Sequence, residues 1–327
     1  MIAMRGATTI LGVVLAGTAA MQVHAQGAAS FPAKPIRMIV PLAAGGPSDT
    51  LARILAVKMS EAIGQNVIVD NRPGASGIIG IEMTAKSPPD GYTIALVSNT
   101  ISINPAIFKK VPYEFDKDLD AVSLIAATPY ILTVHPSLPV KTVKDLIELA
   151  KKRPGELNHA SGGSGTGPHL AMEVLTQRAG IRIVQIVYKG GGPAMIDFLA
   201  GQTQLFLSNM VTAMPQIRAG KMRALAVTST KRSSVAPEVP TPEETGMPGF
   251  EEGGQHGIVS PAGVPKEILA KLHAAIAVAT RNPDLVKRLA DEGSEAVGST
   301  PEVYREIIRR ETAKWKKVVA ASGIRQE

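Results

Sequence analysis

The chain has 327 residues, 45% of them hydrophobic and 19% charged, a length that predicts two domains at roughly 150 residues each. It contains no cysteine, which excludes a disulfide framework, a thiolate zinc site, a thiol nucleophile and an iron–sulfur cluster. Aromatic residues make up 4%, too few for nucleic-acid stacking platforms, and the net charge of +7 is a mild excess that salt screens, so that it steers anions at most.

Arg5, the apolar run 10–20 and the small-residue site Val23-His24-Ala25 predict a secretory signal peptide over 1–25, cut before Gln26. Gly12, Gly17, Thr18, Gln22 and His24 interrupt the run, so it does not read as a membrane span. Arg5 lacks an adjacent arginine, which argues against twin-arginine export, and the absence of cysteine excludes a lipid anchor. The mature protein is therefore expected in an exported compartment.

Beyond the leader, short apolar runs alternate with amphipathic patterns, the signature of βα units around parallel sheets. Strands are predicted at 36–40, 67–69 and 93–97. A helix carrying Leu51, Ile54, Leu55 and Met59 follows the first strand, and a second covers 77–86. Strands at 122–126 and 130–134 lead to a helix over 143–152, with Thr142 as N-cap and Asp145 in its first turn. A strand at 157–160 feeds a glycine-rich turn and a helix marked by Met172, Leu175 and Ala179. Alternation continues at 184–187, 195–200, 205–207, 214–219 and 223–228. The segment 237–254 reads as loop and 256–260 as a buried strand. Three helices close the chain at 266–280, 283–292 and 301–322, the last with Val303, Ile307, Trp315 and Val318 inward and Arg305, Arg309, Lys316 and Lys317 on a solvated side.

Two glycine-rich turns stand out, each between a strand and a helix. The first is Leu42-Ala43-Ala44-Gly45-Gly46-Pro47-Ser48-Asp49, where Pro47 suits a first helical turn and the exposed N–H groups form a natural carboxylate site. Asp49 reads either as dipole compensation or as a contact to the cleft. The second is Ser161-Gly162-Gly163-Ser164-Gly165-Thr166-Gly167-Pro168-His169, offering close backbone approach and neutral hydroxyls. It fails as a dinucleotide fingerprint because Pro168 stands where the last glycine belongs, as a nucleophile elbow because Thr166 ends it, and as a P-loop because it lacks lysine. His169 reads as a packing or capping residue or as a base for Ser164; no third group at a recognisable spacing orients such a pair. The dispersed histidines predict no metal site, and no cofactor is expected. Ser98 and Asn99, at the end of the third strand, are either turn formers or the lining of a crevice. Lys189, before the glycines 190–192, reads as an anion contact or as a solvated lysine.

Taken together, Ile39-Val40-Pro41 with Gly45-Gly46 and Asp49, Asn71-Arg72-Pro73-Gly74-Ala75, Pro88-Pro89-Asp90-Gly91-Tyr92-Thr93, the 161–169 turn, Tyr188-Lys189-Gly190-Gly191, Leu225-Ala226-Val227-Thr228 and Pro261-Ala262-Gly263-Val264-Pro265 resemble the Bug/TctC family of periplasmic solute receptors, in order and over nearly the whole mature chain. The resemblance implies an α/β, two-lobed periplasmic binding protein type II (Venus-flytrap) fold with a discontinuous first lobe: 32–101 with 225–327, and 102–224 inserted between. It implies a non-enzymatic, monomeric receptor that binds a small organic carboxylate between the lobes and delivers it to the membrane permease subunits of a tripartite tricarboxylate transporter, with no nucleic-acid partner. The turns 42–49 and 161–169 would face each other across the cleft, with Ser98 and Asn99 nearby. Gln204 and Ser208 stand where the family usually has acidic residues, and His256 lies where an aromatic is common; these differences concern the ligand, not the fold. The rival readings are a carboxylate receptor that feeds a sensor, and an exported serine hydrolase using Ser164 and His169.

Overall fold

The computed structural model describes residues 31–322 apart from Gly46, Ser164, Lys189, Gly190 and Glu292. The expected leader 1–25 and the readings of Gly46, Ser164 and Lys189 therefore lie outside the described residues.

Among the described residues ten strands run in chain order: β1 (Ile36–Val40), β2 (Val67–Asn71), β3 (Thr93–Ser98), β4 (Leu119–Val134), β5 (Asn158–Ser161), β6 (Val184–Val187), β7 (Leu205–Asn209), β8 (Arg223–Val227), β9 (Gly253–Pro261) and β10 (Glu295–Ala296). The helices are α1 (Pro47–Ile63), α2 (Ile78–Ala85), α3 (Thr100–Ile107), α4 (Phe115–Asp118), α5 (Val143–Lys152), α6 (Gly167–Ala179), α7 (Gly191–Leu199), α8 (Met210–Arg218), α9 (Lys266–Thr280), α10 (Pro283–Asp291) and α11 (Pro301–Ser322). No helix among the described residues is long and apolar enough to cross a membrane.

The strands lie in the order β2-β1-β3-β9-β4-β7-β5-β6, with β8 and β10 also paired to β4. β4 is one 16-residue strand rather than the two predicted. Its first part pairs with β9 and β10, and its second, from Tyr130, with β7 and β8. The chain thus passes from one sheet to the other without breaking its hydrogen-bonded ladder. Parallel pairing of β1 with β2 and β3, and of β5 with β6 and β7, gives each sheet a βα half. The expected boundary at 225 falls inside β8, all of whose pairing is with the second part of β4.

Each sheet has its own cores. On the first sheet, Met38, Ile94, Leu96 and Ile258 pack under α1 and α9, while Ile39, Ala95, Val97 and Val259 pack with Ile101, Tyr304 and Ile308 on the other face. On the second sheet, Leu132, Leu170, Leu175 and Leu207 form one core; Ile131, Phe198, Phe206 and Met214 form another. Helix α5 shows how local chemistry fixes an end. The Thr142 hydroxyl accepts the Asp145 N–H, and the Asp145 carboxylate accepts the Thr142 N–H, closing the capping box that the sequence predicts.

Further features depart from the sequence reading. Helix α3 was not anticipated; Pro105 lies inside its eight residues, and its Ile103 and Ile107 join the second sheet's core. In α11 the inward face is Tyr304, Ile308, Trp315, Val318 and Val319, while Val303 is 51% exposed. Only its first half is turned by about one residue from the predicted phase, with Tyr304 and Ile308 buried in the first sheet's core where Val303 and Ile307 were predicted, while Trp315 and Val318 face inward as predicted. Two of the supposedly solvated cations are paired, Arg305 with Asp120 at 2.7 Å and Arg309 with Asp116 at 2.8 Å.

Where the sheets meet, the buried Thr228 joins three chain segments. Its hydroxyl accepts the Tyr130 N–H at 2.8 Å and donates to the Glu252 carbonyl; its N–H donates to the Tyr130 carbonyl at 2.9 Å, and its carbonyl accepts the Glu252 N–H at 3.0 Å. Thr228→Val keeps the shape but leaves the buried Tyr130 N–H without that partner, so it is expected to lower unfolding free energy by about 1–3 kcal/mol in a denaturant titration.

Candidate functional site

The turn after β1 is shaped by a contact it makes with its own helix. Gly45 takes φ = 83°, a conformation that favours glycine, and its N–H donates to Asp49 Oδ2 at 2.9 Å. Arg53, one turn further on, places Nε 3.0 Å from Asp49 Oδ2 and Nη2 3.0 Å from Oδ1. The Arg53 guanidinium, followed by the Gly45 N–H, holds the Asp49 carboxyl below its ordinary value of 3.8. Asn71 completes the support, with its Nδ2 donating to the Leu42 carbonyl at 3.1 Å and its Oδ1 accepting from Arg53 at 3.2 Å. Leu42 packs on the first core, and Ala43, Ala44 and Gly45 are exposed. Asp49 therefore organises the turn and the first turn of α1.

The turn after β5 repeats the device with different chemistry. Gly165, at φ = 75°, donates its N–H to Nδ1 of His169 at 2.9 Å, again a side chain four residues on and inside the helix. Burial pushes the His169 imidazole down to about 4, so it is neutral and its Nδ1 is an acceptor. Its Nε2 faces Glu173 at 3.7 Å, beyond hydrogen-bond range, and its ring stacks on His159 with centroids 6.2 Å apart. The Ser161 and Thr166 hydroxyls both donate to the Gly163 carbonyl, at 3.1 and 2.8 Å. The turn is stiffened from within, and the protons of both hydroxyls are engaged there.

Between the turns lies a polar chain that includes Ser98 and Asn99. Ser98 contacts Thr100 through their hydroxyls at 3.0 Å. Asn99 donates to the Gly253 carbonyl at 3.4 Å and stands beside the Tyr130 hydroxyl. The start of α6 reaches the same place: a Cβ on Gly167 would overlap the Tyr130 hydroxyl and lie 3.2 Å from Asn99 Nδ2. Asn99 thus links the end of β3 to the start of the second turn's helix. Among the described residues no hydrogen bond joins the 42–49 turn directly to the 161–169 turn.

Sequence reasoning missed one partner. His256, on β9 opposite Ser98 of β3 and Ala126 of β4, places Nε2 2.8 Å from the Ser48 hydroxyl. Their 208-residue separation left no local signal, although His256 had been marked as an unusual residue. Of the other two unusual residues, Gln204 accepts the Asn158 N–H at 3.0 Å, supporting the start of β5, and Ser208 is buried with its hydroxyl unpartnered among the described residues. No group of three metal-ligating side chains occurs among the described residues.

A cavity of about 820 Å³ lies elsewhere, on the flank of β4 that carries β8 and β10. Its lining includes Thr128, Thr228, Ser294 and the Glu252–Lys314 pair but none of the expected site residues. Burial pushes Glu252 up to about 7 despite the Lys314 ammonium 2.9 Å away.

The sequence pattern of the tripartite tricarboxylate transporter family receptors matches residues 51–324. The protein BugT of Bordetella pertussis is 37% identical over 296 residues, 90% of this chain and 91% of BugT. Among solved structures, Rhodopseudomonas palustris Rpa4515 with adipate superposes with a TM-score of 0.75 at 34% identity, covering 90% of this chain and 98% of that one. MatC of the same organism with bound malate gives 0.71 at 30% identity, covering 88% and 100%.

Asp49→Asn removes a carboxylate whose folded value is depressed. The stability Asp49 contributes is complete above its ordinary value of 3.8 and is lost as pH falls through the lower folded value. The Asn variant is accordingly expected to melt below the wild type at pH 7, with the gap closing in acid below pH 3.8. Gly167→Ala is expected to cost about 1–3 kcal/mol by overpacking Tyr130 and Asn99; Tyr130→Phe, which deletes the overlapping hydroxyl, should restore part of it in paired thermal melts.

Proposed function

The chain belongs to the tripartite tricarboxylate transporter receptor family, and on that premise we propose that it is a non-enzymatic extracytoplasmic receptor that captures a small organic carboxylate and delivers it to the permease subunits of a tripartite transporter. The observation that carries this reading is the pair of rigid turns, 42–49 and 161–169, each at the carboxyl end of a parallel strand and each opening a helix. The carboxyl ends of parallel strands are where open α/β sheets place their ligands, and helix starts favour anions. The relatives solved with adipate and with malate support a carboxylate without fixing what is attached to it. The leader at 1–25, cleaved before Gln26, would deliver the protein to the periplasm as a monomer.

The energetics favour enclosure between two lobes over a static groove. Micromolar capture needs about 8 kcal/mol. One exposed helix terminus supplies about 0.3–1 kcal/mol, whereas a hydrogen bond to a charged group is worth about 1.5–3 kcal/mol. Several such bonds, drawn from both sheets and shielded from water, reach the total. The two lobes would be 32–101 with the returning C-terminal segment, and the inserted segment that holds β5 to β8, turning about the crossing at Tyr130, Thr228 and Gly253. Ligand would populate the closed arrangement by binding it more tightly than the open one.

Protein unfolded, freed of ligand and refolded is expected to gain thermal stability with adipate, malate or a tricarboxylate, by about 2.7 kcal/mol at a hundredfold excess over Kd. A melting temperature unmoved by dicarboxylates, tricarboxylates, amino acids and aromatic acids alike would overturn the carboxylate reading.

A further inference from the structure

The two turns use many of their own donors internally. The N–H groups of Gly45 and Gly165 go to Asp49 and His169, and the hydroxyl protons of Ser161 and Thr166 go to the Gly163 carbonyl. A carboxylate accepts hydrogen bonds and donates none, so its recognition needs donors that remain. Ser48 is different. It sits in the first turn of α1, where the helix dipole favours an anion, and its side-chain partner among the described residues is an imidazole nitrogen rather than a carbonyl.

That imidazole is held in place by the sheet. His256 is flanked on β9 by Ser98 of β3 and Ala126 of β4, at the carboxyl end of the parallel strands, and burial keeps its ring neutral, down to about 4. A neutral ring has one N–H and one lone pair. If Nε2 carries the proton, it donates to Ser48 Oγ and turns the serine proton outward to an acceptor. If Nε2 is bare, it takes the serine proton and leaves only lone pairs outward. A bound carboxylate is compatible with the first arrangement alone, a chain in which Nε2–H donates to Ser48 Oγ and the Ser48 hydroxyl donates to the ligand, each bond polarising the next.

The geometry points to His256 as a positioning residue for the ligand: acting through Ser48, it sets the direction of a hydroxyl donor for one carboxylate oxygen, without touching the ligand itself. This assignment rests on the carboxylate-receptor reading of the same site.

A double-mutant cycle tests it, with adipate and malate as probes in titration calorimetry on the whole protein. Ser48→Ala is expected to weaken binding tenfold or more, as for loss of a hydrogen bond to a charged group. His256→Phe, which keeps the ring's bulk, should weaken it several-fold; the double variant should be no worse than Ser48→Ala alone, because both changes remove one chain. His256→Gln, which restores an amide donor near the Nε2 position, should recover most of the loss. Losses that multiply, or an unchanged affinity in His256→Phe, would overturn the assignment. So would a wild-type complex in which nitrogen NMR finds the His256 proton on Nδ1, a measurement that needs no variant to fold. If the wild type binds neither these probes nor any other carboxylate, the receptor reading fails and takes this one with it; binding with independent losses removes this one alone.

Discussion

The passage of the chain between two sheets is the constraint on which the rest of the molecule depends. A backbone that leaves one hydrophobic core for another must keep its polar groups paired on the way. β4 does so by remaining a strand throughout, and the Thr228 side chain serves the remaining groups, accepting from Tyr130 and donating to Glu252. The site is built outward from this crossing. Asn99 donates to Gly253 at the start of β9, Tyr130 meets Gly167 at the start of α6, and His256 follows three residues after Gly253. Asn99, Tyr130 and Thr228 therefore also help to fix the relation between the sheets.

The two turns solve the same local problem with different residues. Each needs a left-handed glycine to bring the strand into the helix, and each anchors that glycine's N–H on a side chain four residues later. On the first sheet the anchor is an anion balanced by Arg53; on the second it is a neutral imidazole buried against His159. Such turns are set before any ligand arrives, which reduces the ordering cost of binding. Asp49 and His169, the residues that look most like catalytic or ligand groups in the sequence, each accept the N–H of their turn's glycine.

What the sequence disclosed was whatever is encoded locally. The capping box at Thr142 and Asp145, the helices after both glycine turns and the alternation of strands all follow from neighbouring residues. The order of motifs also carried the family. Helix α3 escaped notice because a helix of eight residues with Pro105 inside has little periodicity to read; it is held by packing against α11 and the second core. The phase of the first half of α11 was missed for a related reason: Tyr304 and Ile308 are drawn into a core that β1, β3, β4 and β9 assemble from distant parts of the chain. The contact of Ser48 with His256 spans most of the chain and exists only once β9 is inserted between β3 and β4.

Helix α11 carries a mechanical consequence. Tyr304 and Ile308 lie in the first sheet's core, and Trp315, Val318 and Val319 lie in the second sheet's. A pair of sheets joined only by crossing strands could swing apart like a book; a rod bedded in both cannot rotate freely with either. If the two lobes move as proposed, the movement would be taken up as sliding along its side chains, a shear component added to the proposed hinge. Trp315, the single tryptophan of the chain, sits in that bearing with Lys314 Nζ 4.2 Å from its ring centroid. Its ultraviolet emission would therefore follow the bearing itself, an optical gauge of lobe motion already present in the native chain.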